Sequence, residues 1–253
     1  PDLVGFANYT WNERLNSFAG GRLKKKFPEL PIIMGGPNID IDEKGIGVFL
    51  GKYSFVDVYC MYSGEDSFSN IIQHCLENPT KNNRVEILRS APVPGGYSLF
   101  EGDLRSSPSN SKDSDLDFIP SPYLTGTLDP FLKEGFIPLI ETNRGCPFLC
   151  TFCVWGVAAL NKIQKFSVER VYRDLDYVTQ IGENYPNLIF ADANFGILKR
   201  DVDIAKYIRK VYEDTGTFAS VELYWSKSAQ EHIVEIGRIL GHLTNTYIAF
   251  QSL

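Results

Sequence analysis

Residues 141–156 read ETNRGCPFLCTFCVWG and carry three of the chain's five cysteines, Cys146, Cys150 and Cys153. The apolar stretch IPLIET (137–142) runs up to them as a strand, Arg144 and Gly145 turn the chain, and Pro147 stiffens the turn. Three thiols at this spacing need a reason. A disulfide would leave one thiol over and is disfavoured in a reducing compartment. Structural zinc takes four ligands, usually as two spaced pairs, and the imidazoles of His74, His232 and His242 are distant in sequence. An iron-sulfur cluster accounts for the number. Soft thiolates suit iron, and a four-iron cluster on three cysteines keeps one iron open for a substrate or cosubstrate.

Downstream, the hydrophobic period alternates between that of a strand and that of a helix, the pattern that builds parallel sheets. Val168, Val171, Tyr172, Leu175, Val178 and Ile181 trace one helix stripe, with Ser167 as its expected N-cap. NLIFAD (187–192), a helix over about 201–213, SVELYW (220–225), a helix over about 229–240 and YIAFQSL (247–253) continue the alternation. Four strands with three intervening helices predict part of a parallel (β/α) barrel, whose ligands sit at the carboxyl ends of the strands.

Upstream, LVGFAN (3–8), PIIMGG (31–36) and VDVYCMYSG (56–64) read as strands. Leu15, Phe18, Ala19, Leu23 and Phe27 predict the buried face of one helix; Phe68, Ile71, Ile72, Cys75 and Leu76 predict another. Residues 88–137 are rich in Pro, Gly, Ser and Asp and lose periodicity, which reads as a linker. The expected organisation is an α/β domain over 1–87, a linker over 88–137 and the barrel over 138–253. Pro1 and Asp2 run straight into a strand and the last residues stop inside one, so an internal piece of a longer protein is expected.

Composition sets the outer limits. With 43% hydrophobic and 22% charged residues the chain is of globular type, and a formal charge of −6 argues against a broad nucleic-acid footprint. The basic run Arg22–Lys26 reads as the solvated face of a helix. No apolar run reaches the length of a membrane span and no signal pattern opens the sequence, so a cytoplasmic setting is expected. Cys60 and Cys75 fall in a strand and on a helix face, where a cysteine acts as a small hydrophobe.

The triple, with Phe152 just before its third cysteine, resembles the signature of the radical S-adenosylmethionine superfamily over residues 138–253. The front stretches PDLVGFANYTWN, LPIIMGGPN and VDVYCMYSGEDSF, with the later DLDFIPSPY, resemble the cobalamin-binding domain and linker of that superfamily's cobalamin-dependent members. The resemblance implies a partial Rossmann-like cobalamin-binding domain followed by a partial radical barrel. It further implies a 4Fe-4S cluster on Cys146, Cys150 and Cys153, with S-adenosylmethionine chelating the open iron. One electron then cleaves the sulfonium bond to give a 5'-deoxyadenosyl radical, and the barrel positions the cofactors. The Asp-x-His-x-x-Gly motif of many cobalamin domains is absent from this sequence, and so is the Gly-Gly-Glu stretch common in the barrel.

Further site candidates follow from strand ends. In the barrel, Asp192 and Asn194 are placed to face the amino group of S-adenosylmethionine; Ser226 and Lys227 end the third strand, and Gln251 and Ser252 end the fourth. In the front domain, Gly35, Gly36 and Pro37 permit a tight turn and close approach of a ligand, with Gly64 and Glu65 in the equivalent place after the next strand. Tyr9, Trp11 and Asn12 follow the first strand and are candidates for lining the corrin, the alternative for Trp11 being core packing.

The leading functional expectation is a cobalamin-dependent radical methyltransferase acting on an unactivated carbon of a small-molecule, natural-product or lipid-like substrate. Flavodoxin or ferredoxin would supply electrons, and no nucleic acid or membrane span is involved. The alternatives are a radical rearrangement or cyclisation without methyl transfer, and a non-catalytic iron-sulfur protein that carries electrons or senses redox state. Electron carriers usually close the cluster with a fourth cysteine, which favours the enzyme.

Overall fold

The computed structural model describes residues 1–78, 83–107, 116–151, 153, 162–181, 185–227 and 231–247. The chain forms two compact units, residues 1–112 and 113–253.

The first unit is a five-stranded sheet. Its elements run β1 (Val4–Ala7), α1 (Glu13–Lys26), β2 (Ile32–Gly35), α2 (Glu43–Lys52), β3 (Val58–Cys60), α3 (Glu65–Glu77), α4 (Arg84–Ser90), β4 (Gly96–Phe100) and β5 (Asp103–Ser106). The first three strands are parallel, in sequence order, and β4 and β5 add an antiparallel hairpin beside β3. Because side chains alternate along a strand, β2 serves two cores. Ile32 and Met34 pack with Ile46 and Leu50 of α2, while Ile33 packs with Val58, Cys60, Ile71 and Leu88 on the other face. A buried carboxylate ties the layers: Asp57 accepts from Lys24 at 2.6 Å, from Arg89 at 2.8 Å and from the Ile32 amide at 2.7 Å.

Several local expectations change here. The expected core face of α1 holds only in part: Leu23 packs against the core, but Leu15 and Phe18 are 67% and 61% exposed, and Asn16 and Gly20 are buried instead. Phe55 explains the choice, since a Cβ on Gly20 would lie 2.3 Å from its ring. On α3 only Ile71 and Cys75 of the expected stripe are buried, while Phe68, Ile72 and Leu76 are exposed. The stretch read as a linker contains ordered structure. Within it, Glu101 and Gly102 both take positive φ, the two-residue turn geometry that closes a hairpin, so β4 and β5 belong to the first sheet.

The second unit continues with α5 (Asp129–Lys133), β6 (Leu139–Ile140), β7 (Asn143–Arg144), β8 (Gln164–Lys165), α6 (Val168–Ile181), β9 (Asn187–Phe190), α7 (Asp201–Thr215), β10 (Ser220–Tyr224), α8 (Glu231–Leu240) and β11 (Thr244–Tyr247). β6, β9, β10 and β11 form a parallel sheet in chain order, and β7 pairs antiparallel with β8. α6 buries the stripe that periodicity assigns, Val171, Leu175 and Val178, and α7 buries Ile204, Ala205 and Ile208; both pack with Leu188, Phe190, Val221 and Leu223 of the sheet. Ser167 caps α6, accepting from the Arg170 amide at 3.1 Å. Gly216 ends α7 in the left-handed conformation. No described helix is long and apolar enough to cross a membrane.

Candidate functional site

The carboxyl end of the second sheet is where its polar residues gather. β6 ends at Ile140, and the next residues, Glu141 to Gly145, carry the chain through β7 into the cysteine loop. β9 ends at Phe190; the chain then leaves the sheet over Ala191–Asn194 and rejoins β10 through a bridge between Phe195 and Trp225. Ala191, Asp192 and Ala193 of this excursion and Glu141, Asn143, Arg144 and Gly145, with Tyr224 at the end of β10, line a cleft of about 230 Å³. Gly145 on its wall immediately precedes Cys146.

Asp192 joins the two sides. It is fully buried and accepts from the Thr142 amide at 2.6 Å, the Asn143 amide at 3.1 Å and the Asn143 side chain at 2.8 Å, and also from the Thr142 hydroxyl. Burial pushes its carboxyl up to about 7, against the opposing pull of these donors. Asp192 therefore braces the start of the cysteine loop, with both oxygens already engaged by protein donors. Asn194 differs. It is 1% exposed, and neither end of its side-chain amide has a hydrogen-bond partner among the described residues. Asn143, which lines the cleft, likewise has an unpartnered Oδ1. Buried amides in that condition are uncommon and point to a bound polar group or water.

The cysteine loop leaves the β7–β8 stem. Cys146 is 5% exposed, Cys150 and Cys153 are half-buried, and none of the five cysteines forms a disulfide. The Cys153 amide donates to the Cys150 carbonyl at 3.0 Å, placing these two in one turn. Lys227, beyond the end of β10, brings its Nζ to 3.7 Å from Cys150 Sγ. In number and donor type the three thiols suit an iron-sulfur cluster. Among the described residues, however, no three His, Cys, Asp or Glu side chains are gathered closely enough to hold a metal ion. Cys60 and Cys75 are buried in the first unit, and burial pushes the Cys60 thiol up to about 12, the behaviour of an inert core thiol.

The first unit presents a second polar locus where β1, β2 and β3 end. Asn8 is 1% exposed; its Nδ2 donates to the Asn38 carbonyl at 2.8 Å and its Oδ1 has no partner among the described residues. Tyr59 donates its hydroxyl to the Gly36 carbonyl at 2.7 Å. Gly36 has φ +124°, and a Cβ there would meet the Asn8 carbonyl oxygen at 2.5 Å, so the glycine accommodates the chain's own backbone. Gly35 is close to the Cys60 carbonyl, at 3.3 Å from a built Cβ, whereas Gly64 opens α3 with nothing within 4 Å. Pro37 and Glu65 are exposed. Trp11 is 78% exposed and stacks on Tyr9 with ring centroids 4.5 Å apart, so it is no core residue. Asn12 accepts from the Tyr9 amide and donates to the Ala7 carbonyl, closing the turn between β1 and α1.

Ser226 is 9% exposed beside the Phe195 bridge. Phe152, Gln251 and Ser252 lie outside the described residues. Sequence reasoning missed Thr142, Asn143 and Arg200, which depend on pairings across 34 to 58 positions. The quoted stretch itself contains Thr142 and Asn143, and a polar pair directly after a strand end is the available signal.

No family model matches the chain. The curated relatives it matches are named as methyltransferases, one of them as a cobalamin-dependent radical S-adenosylmethionine methyltransferase. It is 29% identical over 245 residues to the cobalamin-dependent radical SAM methyltransferase TokK of Streptomyces tokunonensis, covering 94% of this chain and 34% of that protein. It is 28% identical over 244 residues to the 2-(S-pantetheinyl)-carbapenam-3-carboxylate methyltransferase of Streptantibioticus cattleyicolor, with the same 94% and 34% coverage. The chain thus spans about a third of the length of these curated relatives. Among solved structures, the fold is similar to the cobalamin-dependent S-adenosylmethionine radical enzyme OxsB with aqua-cobalamin and S-adenosylmethionine bound, at a TM-score of 0.63 and 19% identity over 96% of this chain and 34% of that one. The methyltransferase TsrM of Kitasatospora setae, with cobalamin and a [4Fe-4S] cluster bound, matches at 0.61 and 13% identity over 96% and 47%.

Proposed function

We propose that the chain is the cofactor-handling part of a cobalamin-dependent radical methyltransferase, with the first unit a partial Rossmann-like cobalamin domain and the second a partial radical barrel. The observation that carries this reading is the cysteine triple in one loop at the carboxyl end of a parallel sheet, one residue from a cleft lined by polar groups. Cys146, Cys150 and Cys153 would hold a four-iron cluster. Bound together, the cluster, S-adenosylmethionine and cobalamin supply reductive cleavage to a carbon radical and a methyl carrier to quench it.

The chain's own residues bind, orient and exclude. S-Adenosylmethionine is assigned to the cleft, where the unpartnered Asn143 Oδ1 offers an acceptor to its ammonium group and Asn194 an uncommitted amide nearby. Arg144, on the cleft wall and bonded to Glu141 at 2.7 Å, suits the methionine carboxylate. Asp192, with its oxygens engaged, acts on the loop and leaves ligand contact to its neighbours. In the first unit, corrin is assigned to the ends of β1–β3. There the buried Asn8 Oδ1 lacks a donor, corrin amides provide donors, and Gly64 leaves open space. The substrate is proposed to be a small molecule with an unactivated carbon, and the electron donor a flavodoxin or ferredoxin.

The test uses the full-length protein, reconstituted anaerobically with iron and sulfide and supplied with hydroxocobalamin. Formation of 5'-deoxyadenosine on reduction, with retained corrinoid, supports the reading. Nucleoside formation without corrinoid moves the assignment to a radical rearrangement or cyclisation. Iron without nucleoside moves it to an electron carrier.

A further inference from the structure

We infer that Arg200 is a positioning residue for the cysteine loop, working against Asp192 as the two jaws of a clamp on the loop's stem; its use to the enzyme rests on the proposal that this loop holds the cluster. The chain leaves β7 toward the cysteines and returns in β8, and these strands form a stem of two antiparallel residue pairs, Asn143 with Lys165 and Arg144 with Gln164. A ladder that short is marginal by itself. Arg200 fixes its base from the carbonyl side. Its Nη1 donates to the Phe166 carbonyl at 2.5 Å and its Nη2 to the Thr142 carbonyl at 2.7 Å, so one guanidinium spans both strands where they enter the stem. The Thr142 carbonyl also accepts the Phe166 amide at 3.0 Å, which closes the base. Asp192 holds the amides of Thr142 and of its neighbour Asn143. Residue 142 is thereby gripped at both its N–H and its C=O.

The jaws are themselves anchored. Asp201, fully buried at the start of α7, accepts from the Gly196 amide at 2.9 Å and the Leu198 amide at 3.1 Å, which sets the turn that delivers Arg200. Asp192 sits on the excursion after β9. Sheet, helix start and cysteine loop are so connected through backbone atoms of the stem, a place where exchange of loop side chains leaves the grip intact. Lysine is a poor substitute for Arg200, since one ammonium lacks the planar fork that reaches two carbonyls at once.

The experiment compares Arg200→Ala and Arg200→Lys with the parent in the full-length protein. In metal-free, reduced protein, alkylation of Cys146 by iodoacetamide is followed by mass spectrometry, with Cys60 and Cys75 as internal references and hydrogen exchange over β9 and β10 as the fold control. Iron release to a chelator is followed in the loaded protein. The clamp predicts that Cys146, almost buried in the parent, alkylates on the order of tenfold faster in Arg200→Ala, with Arg200→Lys intermediate and β9 and β10 still protected. Iron release accelerates in the same order. An unchanged Cys146 rate in both variants overturns the inference, as does loss of β9 and β10 protection in both, which would make Arg200 a general support of the sheet. If only Arg200→Ala opens the sheet, Arg200→Lys decides. A parent that binds no iron sinks the cluster proposal alone, and the alkylation rates then still decide whether Arg200 holds the loop.

Discussion

Replacing Asp192 by Ala and by Asn separates its two contributions. Ala leaves four donors without their acceptor: the amides of Thr142 and Asn143, the Thr142 hydroxyl and the Asn143 side-chain amide. At about 1–3 kcal/mol for each buried donor left unpaired, with some recovered by relaxation, the loss is about 4 kcal/mol or more. Asn behaves differently. Its Oδ1 keeps both backbone amides, the Thr142 hydroxyl can turn to accept, and the Asn143 amide can flip to present the Oδ1 that now has no partner. Asp192→Asn therefore costs about 1–2 kcal/mol near pH 4, where the folded parent's carboxyl is also neutral, and less as pH rises. The pH dependence has a definite sign. The folded carboxyl is pushed up to about 7 from an ordinary 3.8, so between pH 4 and 7 the folded chain keeps a proton that the unfolded chain has released. Its contribution to stability falls as pH rises through that window, by up to about 1.4 kcal/mol per unit, and is level above it. Both variants lose this component, and their stability curves over that window become correspondingly flatter than the parent's. Urea unfolding followed by hydrogen exchange over β9 and β10, from pH 4 to 8, measures all of this. Equal losses for Ala and Asn, or unchanged slopes, would refute the reasoning.

Other perturbations give equally definite outcomes. Gly36→Ala puts a Cβ against the Asn8 carbonyl at positive φ and should destabilise the first unit by at least about 2 kcal/mol in chemical denaturation, with or without corrinoid present. Asp57→Ala strips Lys24, Arg89 and the Ile32 amide of one shared acceptor and should cost about 3–5 kcal/mol by the same measurement. Trp11→Ser, at an exposed site, should shift unfolding by no more than about 0.5 kcal/mol. A larger shift would mean that Trp11 is covered by structure in the folded protein.

The parts that local pattern controls were legible in the sequence. The helix stripe of α6 and its Ser167 cap depend on neighbours three and four positions apart, and both are found where periodicity puts them. The parallel order of β6, β9, β10 and β11 follows from strand-helix alternation. What failed depended on partners. Leu15 and Phe18 define an apolar face on α1, but the side that docks is decided by Phe55 needing the space over Gly20. α2, with Gly45, Gly47 and Gly51, is a poor helix former held by Ile46, Leu50 and an Asp42 cap, so propensity concealed it. Glu101–Gly102 sat in a stretch whose Pro and Gly content masked a hairpin. At the site, the cysteines announce themselves by spacing, whereas Asp192 reads as a ligand contact until Thr142 and Asn143 are seen to occupy it. Arg200 carries no local signal because its two acceptors lie 34 and 58 positions away.

The central claim is that Cys146, Cys150 and Cys153 together hold one four-iron cluster. Its most direct test is iron and acid-labile sulfide analysis of anaerobically reconstituted full-length protein, alongside single alanine variants at all five cysteines. The account predicts iron and sulfide in equal amounts, close to four per chain, in the parent and in Cys60→Ala and Cys75→Ala, with collapse in Cys146→Ala, Cys150→Ala and Cys153→Ala. Undiminished iron and sulfide in any of those three variants, or stoichiometric zinc without sulfide in the parent, would contradict it.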